Sequence, residues 1–165
     1  NMVDEKMLTE LKSAGCNMVG YGIESGSQKI LDNMNKQVTV EQAKKAVKLT
    51  KEIFGDADTS FMIGYPGETD ETIQETKEFC KELDLAPEVI FFATPYPGTD
   101  LYEYAKKLGL IKNEVEYISN LWEQGERIAV NFTSWTDEEL FEKRQALIEE
   151  LKAWNVKRHE LSERV

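Results

Sequence analysis

A carboxylate that follows two closely spaced glycines is the first feature of the sequence that suggests chemistry. In the stretch GYGIES, Gly20 and Gly22 precede Glu24, and Ser25 comes directly after it. Glycines inside a strand leave room for a ligand or another backbone to approach closely. An acid in that position can accept hydrogen bonds from a vicinal diol, as acids do with a ribose. In the alternative interpretation, Glu24 is solvated or pairs with Lys36 or Lys29, and Ser25 only caps a helix.

Two known phosphate-binding patterns are absent. GYGIES lacks the third glycine of G-x-G-x-x-G, and its glycines fall within the predicted strand rather than in the turn after it. The chain also contains no G-x-x-x-x-G-K-S/T sequence. Neither a dinucleotide site nor a phosphate-binding loop of these types is therefore predicted.

Two further turns with polar residues follow predicted strands. GYPGET covers residues 64–69 and TPYPGT covers residues 94–99. In parallel α/β folds, ligands bind at the carboxyl ends of the strands, because loops and helix N-termini converge there. We therefore expect all three strand ends to face one mouth. Glu68 has a structural interpretation, since acids after such turns favour the first turn of the next helix.

The elements that would position these turns alternate regularly. Strands are predicted over residues 18–23, 59–63 and 89–93, and a helix follows each of them. Three capping-box pairs predict where helices begin: Ser25 with Gln28, Thr39 with Gln42, and Thr136 with Glu139. Successive strand–helix units require parallel strands with right-handed crossovers. The sequence therefore predicts an α/β fold that is part of a barrel or an open sheet.

The alternation ends after Gly109. Residues 1–109 are predicted to form one region, and residues 110–165 a C-terminal extension. Within the extension, residues 114–134 are expected to be mainly irregular. A long helix follows, with one predicted inward stripe: Leu140, Leu147, Ile148, Leu151 and Trp154.

Composition narrows the class of protein. The 165 residues carry a formal charge of −11, which argues against a nucleic-acid or anionic membrane partner. No apolar run approaches the roughly 18 residues of a spanning helix, and no signal peptide is recognisable, so a cytoplasmic location is predicted. Cys16 and Cys80 are too few and too far apart for a disulfide framework or a zinc site, so no metal ligand is predicted.

Three stretches together resemble the second half of the radical S-adenosylmethionine (SAM) domain: AGCNMVGYGIESGSQKILDNMNK, FMIGYPGETDETIQET and FFATPYPGTDLYEYAKKLG. Within that family they are most similar to iron–sulfur oxidoreductases that often carry an N-terminal cobalamin-binding domain. The resemblance covers residues 1–109, and NFTSWTDEEL is similar to the C-terminal extension of that subgroup.

The resemblance implies a partial (β/α)6 TIM-like barrel. A four-iron, four-sulfur (4Fe-4S) cluster in such proteins takes an electron from a donor such as ferredoxin or flavodoxin and cleaves SAM. The resulting 5′-deoxyadenosyl radical abstracts hydrogen from a small-molecule substrate. The resemblance also implies a set of SAM-binding residues: Glu24 and Ser25 at the ribose, Lys36 at the carboxylate, Ser60, Ile63 and Gly64 beside adenine and ribose, and Ala93 and Thr94 at the adenine.

One departure from the family pattern is decisive. The family holds its cluster with three cysteines in CxxxCxxC, and this chain has no such motif. We therefore expect the chain to be part of a larger protein whose missing N-terminal half of the barrel carries the cluster ligands. Since the subgroup often carries a separate cobalamin-binding domain, the resemblance leaves open whether that larger protein also binds cobalamin. Alone, the chain is expected to be inactive and to bind SAM weakly at best.

Two alternatives remain open at this stage. The chain resembles, less closely, methylthiotransferase-like and porphyrin-oxidising members of the superfamily, although GIES in place of a glutamine–serine strand end disfavours both. In the other alternative, the chain is a non-catalytic α/β binding or scaffold domain that has lost its cluster.

Overall fold

A parallel three-stranded sheet forms the centre of the fold. The structure is a computed structural model that describes residues 3–87, 89–121, 125 and 127–162, the last five as backbone only. Strands β1 (Gly20–Glu24), β2 (Asp58–Ile63) and β3 (Ile90–Phe92) lie side by side in that order, and both pairs are parallel. This arrangement confirms the predicted α/β class and agrees with part of a TIM-like barrel.

Helices alternate with the strands and then continue beyond them: α1 (Glu5–Ser13), α2 (Gln28–Asn33), α3 (Val40–Phe54), α4 (Asp70–Leu83), α5 (Asp100–Lys107), α6 (Glu114–Ser119) and α7 (Asp137–Ser162). The capping box predicted at Thr39 forms, and so does the one between Thr136 and Glu139. The box predicted at Ser25 is wrong, because α2 begins after Ser27. Helix α6 was expected to be irregular, but Asn113 accepts hydrogen bonds from its first backbone N–H groups.

The helices cover one face of the sheet. The alternate side chains Ile23, Phe61 and Phe92 are buried in one cluster with residues of α3, α4 and α7. Because strand residues alternate between faces, Gly22 and its register partner Ser60 lie on the opposite face. In β1 and β2, the side chains on that face are less buried than those on the face that the helices cover.

The long helix α7 belongs to this main core. Four of its predicted inward residues are buried: Leu140, Leu147, Ile148 and Leu151. Trp154, also predicted to face inward, is 40% exposed and lies under the Lys81 ammonium group, 5.2 Å from its ring centroid. Ion pairs of 2.6 to 2.7 Å join α7 to α4 through Lys143–Asp70 and Lys77–Glu150.

A second, smaller apolar cluster lies beside β3 and is formed by Tyr102, Ala105, Ile111 and Val130. In the sequence, two of its members precede residue 109 and two follow it, and α7 packs in the main core. Side chains therefore pack together across the predicted boundary. That boundary remains a prediction. Residues 122–124 and 126 of the predicted irregular stretch lie outside the described residues.

The part of the chain that the structure describes has no helix that combines the length and the apolar character needed to cross a bilayer.

Candidate functional site

Glu24 occupies an unusual backbone conformation at the end of β1. Its φ is 68°, in the left-handed region that few non-glycine residues adopt, and the pairing register shifts between Gly22 and Glu24. This bulge turns the carboxylate back over the strand. A Cβ atom at Gly22 would lie only 2.6 Å from Oε1 of Glu24, so the glycine is what makes room for the acid.

Lys36 is the direct partner of this carboxylate. Its Nζ donates to Oε1 of Glu24 at 2.8 Å, and the two side chains are 34% and 20% exposed, respectively. The lysine follows α2 and is held there by a backbone hydrogen bond from its N–H to the carbonyl of Leu31. The pairing foreseen in the structural interpretation of Glu24 is therefore present, and both groups remain accessible at the rim.

Ser25 points away from this rim. It is buried, its Oγ lies 3.1 Å from Oγ1 of Thr76 on α4, and it accepts a hydrogen bond from the N–H of Ser27. The next residue, Gly26, is so close to α4 that a Cβ atom there would lie 2.6 Å from Cα of Thr76. The hydroxyl of Ser25 thus docks the loop onto α4, and a ribose contact from Ser25 stays a prediction.

The ends of β2 and β3 bring four more predicted residues together. The N–H of Ala93 donates to the carbonyl of Ile63 at 2.9 Å, so Gly64 and Thr94, the residues that follow them, are also neighbours. The side chains of Ile63 and Ala93 are buried in the core, which leaves their backbone for contact with a ligand. Thr94 is partly exposed, and its hydroxyl donates to the carbonyl of Phe92 at 3.0 Å.

Glu68 holds the turn after β2 from within. It is 7% exposed and accepts hydrogen bonds from the N–H of Gly64, at 3.2 Å, and from the Thr72 hydroxyl. Burial raises the pKa of this carboxyl, and the two hydrogen bonds and the charge of Lys29 only partly oppose that effect. Glu68 precedes the N-cap Thr69 and does not lie in the first turn of α4, where the sequence had placed it.

The two cysteines do not fit an iron–sulfur cluster. Cys80 lies in α4 within the main core, and burial raises the pKa of its thiol to about 12, whereas iron binds the thiolate. The Cys16 thiol donates to the carbonyl of Met18 at 3.1 Å. Among the described residues, no three His, Cys, Asp or Glu side chains stand close enough together to hold a metal ion.

The strand ends bring several kinds of polar group together. They combine an acid and a cation at the rim, a glycine beneath the acid, and backbone groups of two neighbouring strand ends. A carboxylate can accept hydrogen bonds from paired hydroxyls, and a glycine in a strand leaves room for another group to approach closely. The described residues thus form a parallel α/β domain with polar side chains and backbone groups at the carboxyl ends of its strands.

Comparison with known proteins identifies the family. The sequence model of the Radical SAM superfamily matches residues 1–80, which contain β1, β2 and most of α4. Residues 1–80 therefore match part of a radical SAM domain. Members of this superfamily use SAM and a 4Fe-4S cluster.

Three curated relatives show how varied the similar proteins are. The chain is 44% identical over 105 residues to an uncharacterized methyltransferase of Pyrococcus horikoshii, a match that covers 64% of the chain and 23% of the relative. It is 38% identical over 99 residues to a putative methylthiotransferase of Methanocaldococcus jannaschii, covering 60% and 22%. It is 36% identical over 102 residues to the anaerobic magnesium-protoporphyrin IX monomethyl ester cyclase of Rubrivivax gelatinosus, covering 61% and 18%.

The matched region therefore spans about a fifth of the length of these relatives. Both types of protein that GIES was taken to disfavour, methylthiotransferase-like and porphyrin-acting, are among them. The chain is thus similar to members of both subgroups although its strand end reads GIES.

Proposed function

We propose that the three strand ends bind the nucleoside part of SAM within a radical SAM enzyme, with Glu24 accepting hydrogen bonds from the ribose hydroxyls. The observation that carries the proposal is the position of the Glu24 carboxylate, which is turned over Gly22 and remains partly exposed at the rim. A carboxylate accepts hydrogen bonds, and each of the two ribose hydroxyls has an O–H group that can donate to it, so the groups are complementary.

The neighbouring residues support the same placement. Lys36 stands next to Glu24 and offers a cation to the carboxylate of the methionine part. Ser60 lies beside Gly22 across the β1–β2 pair, on the uncovered face. The backbone of Ile63, Gly64 and Ala93 lies at the next two strand ends, where the adenine would rest.

The reaction itself belongs to a larger protein in this proposal. With SAM bound and the cluster reduced by a ferredoxin or flavodoxin, the cofactor supplies hydrogen-abstraction chemistry toward a small-molecule substrate. The residues described here bind and orient the nucleoside. The cluster ligands come from a part of the barrel outside this chain, and the cobalamin expected for the subgroup also stays a proposal. Alone, the chain has no radical activity.

Titration of the isotope-labelled chain with adenosine and with 2′-deoxyadenosine, followed by nuclear magnetic resonance (NMR), tests the diol contact. Adenosine is expected to bind more tightly, and Glu24→Gln to weaken it about tenfold, as loss of a charge-assisted hydrogen bond does. The matched control is Glu41→Gln on α3, because Glu41 is 82% exposed and also pairs with a lysine. Equal binding of the two nucleosides, or an unchanged affinity in Glu24→Gln, would contradict the proposal.

Two further measurements test the rest of the proposal. Calorimetry on this chain should find only weak SAM binding, because a partial groove lacks most of its converging contacts; a micromolar affinity would contradict that expectation. In a full-length protein that carries both this region and CxxxCxxC, Glu24→Gln should lower the release of 5′-deoxyadenosine. Full release at low SAM concentration would exclude a ribose role for Glu24.

A further inference from the structure

Residues after position 109 contact the end of β3 at more than one point. The N–H of Phe92 donates to the carbonyl of Gly125 at 2.6 Å, and a tyrosine hydroxyl reaches the residues that follow the strand. Tyr117 on α6 donates a hydrogen bond of 2.7 Å to the carbonyl of Pro95. Pro95 follows Thr94 directly and is almost completely buried. The contact therefore joins α6 to the residue next to one of the predicted SAM contacts.

Tyr117 is itself held firmly from the side of α5. Its ring packs against the second apolar cluster, with its centroid 6.0 Å from that of Tyr102. The Tyr102 hydroxyl donates to Glu114, at the start of α6, at 2.7 Å, and Lys106 pairs with the same carboxylate at 2.9 Å. Three contacts thus fix α6 on α5, so the Tyr117 hydroxyl has a defined position.

The contact matters for the strand end because of the chemistry of proline. Pro95 has no N–H group, and its ring confines Thr94 to extended conformations. Its buried carbonyl needs a donor, and Tyr117 supplies one across the chain. Burial, and to a lesser extent Tyr102 and Tyr96, raise the pKa of Tyr117 to about 12, so the hydroxyl keeps its proton at ordinary pH.

We propose that Tyr117 is a positioning residue through which the C-terminal region fixes the end of β3, Ala93 and Thr94, for nucleoside binding. The proposal rests on the proposed function for its ligand. Thr94 and Tyr117 also line one cavity of about 910 Å³ between α6 and the strand end. Pro95 follows Thr94 directly, so a shift of the Pro95 carbonyl would move Thr94, which is one of the predicted nucleoside contacts.

Tyr117→Phe tests this directly, since it removes the hydroxyl and keeps the ring. Its control is Val130→Ala, because Val130 belongs to the same apolar cluster and its side chain has no group that could donate a hydrogen bond to the Pro95 carbonyl. Tyr117→Phe is expected to weaken adenosine binding about fivefold, the effect of one hydrogen bond. It should also speed hydrogen exchange at the amides of Thr94 and Tyr96. Val130→Ala should lower the melting temperature at least as much and leave both readouts at their wild-type values.

The outcomes separate the two proposals. If Glu24→Gln weakens adenosine binding and a folded Tyr117→Phe changes neither affinity nor exchange, the positioning role is wrong and the proposed function stands. If adenosine does not bind the wild-type chain, the proposed function fails, and the exchange rates still decide whether Tyr117 fixes the strand end. If Tyr117→Phe does not fold, the wild-type titration decides: Tyr117 ring signals that shift together with the Thr94 amide support the proposal, and unmoved ring signals overturn it.

Discussion

Two glutamates that follow successive strands differ in almost every property except residue type. Glu24 comes at the end of β1, is partly exposed and pairs with a lysine at the rim. Glu68 comes five residues after the end of β2, is 7% exposed, and accepts hydrogen bonds from Gly64 and Thr72. The carboxylate of Glu24 is partly accessible to a ligand. The carboxylate of Glu68 is buried and already accepts hydrogen bonds from within the protein.

The backbone around each acid explains the difference. At Glu24 a bulge and a left-handed φ turn the side chain over Gly22, toward the uncovered face of the sheet. At Glu68 the turn that begins at Gly64 folds back on itself, and the carboxylate closes it against the start of α4. An acid at a strand end is therefore a ligand group only where the local backbone points it outward.

The largest expected effect is the loss of stability when the buried acid, Glu68, is truncated. Glu68→Ala should lower the free energy of unfolding by about 2 kcal/mol, because the buried N–H of Gly64 loses its acceptor. Glu24→Ala should cost less than about 1 kcal/mol, since it removes a partly exposed ion pair. Urea unfolding of both variants at neutral pH measures the difference, and equal losses would show that the two acids do not play opposite roles.

The second test moves the outward acid without removing it. In Gly22→Ala the new methyl group would stand 2.6 Å from Oε1 of Glu24, so the carboxylate must leave its place. We expect adenosine binding to weaken several-fold, with a stability loss of about 1 kcal/mol from the forced shift. Gly20→Ala is the control on the same strand face, because its methyl group would meet only the side chain of Asp58, at 3.3 Å. If both variants bind adenosine as tightly as the wild type does, adenosine binding does not depend on the position that Glu24 takes over Gly22.

Local sequence signals were enough to predict much of the fold. The strand–turn–helix order and the capping pair at Thr39 depend on residues within a few positions of each other, and the structure confirms them. The errors at Trp154 and in α6 have a different cause. Whether a residue near a helix end is covered, or a short polar stretch forms a helix, depends on which distant element packs there, and periodicity does not contain that information.

The site divides in the same way. Glycine inside the β1 strand predicted close approach by another group, and in the structure the group that approaches Gly22 is the carboxylate of Glu24. That the β1 end binds a ligand stays a prediction. The contact of Ser25 with Thr76 and the hydroxyl contact of Tyr117 with Pro95 join residues that are 51 and 22 positions apart. In the sequence, these contacts are marked only by the hydroxyl-bearing residues Thr76 and Tyr117. Such residues are common on any protein surface, so they do not predict a specific contact.

The smallest expected effect is the contribution of Glu68 to the pH dependence of stability. Because its pKa is raised in the folded state, the folded protein holds this proton more tightly than the unfolded chain does. The contribution of Glu68 to stability is therefore greatest below the ordinary glutamate pKa of about 4.3, and it is lost as the pH rises through the raised pKa.

Glu68→Gln removes this titration, so the stability of the wild type relative to the variant should increase as the pH falls from about 7 to about 4, by less than about 1 kcal/mol after solvent screening. The control is Glu71→Gln. Glu71 is exposed, and its pKa is lowered mainly by a backbone hydrogen bond at the start of α4, so its contribution is present above the ordinary pKa and is lost as the pH falls. Urea midpoints across this range should thus shift in opposite directions for the two variants. A flat difference for Glu68→Gln would mean that burial does not affect the protonation of Glu68, and its assignment as the acid that points into the protein would no longer hold.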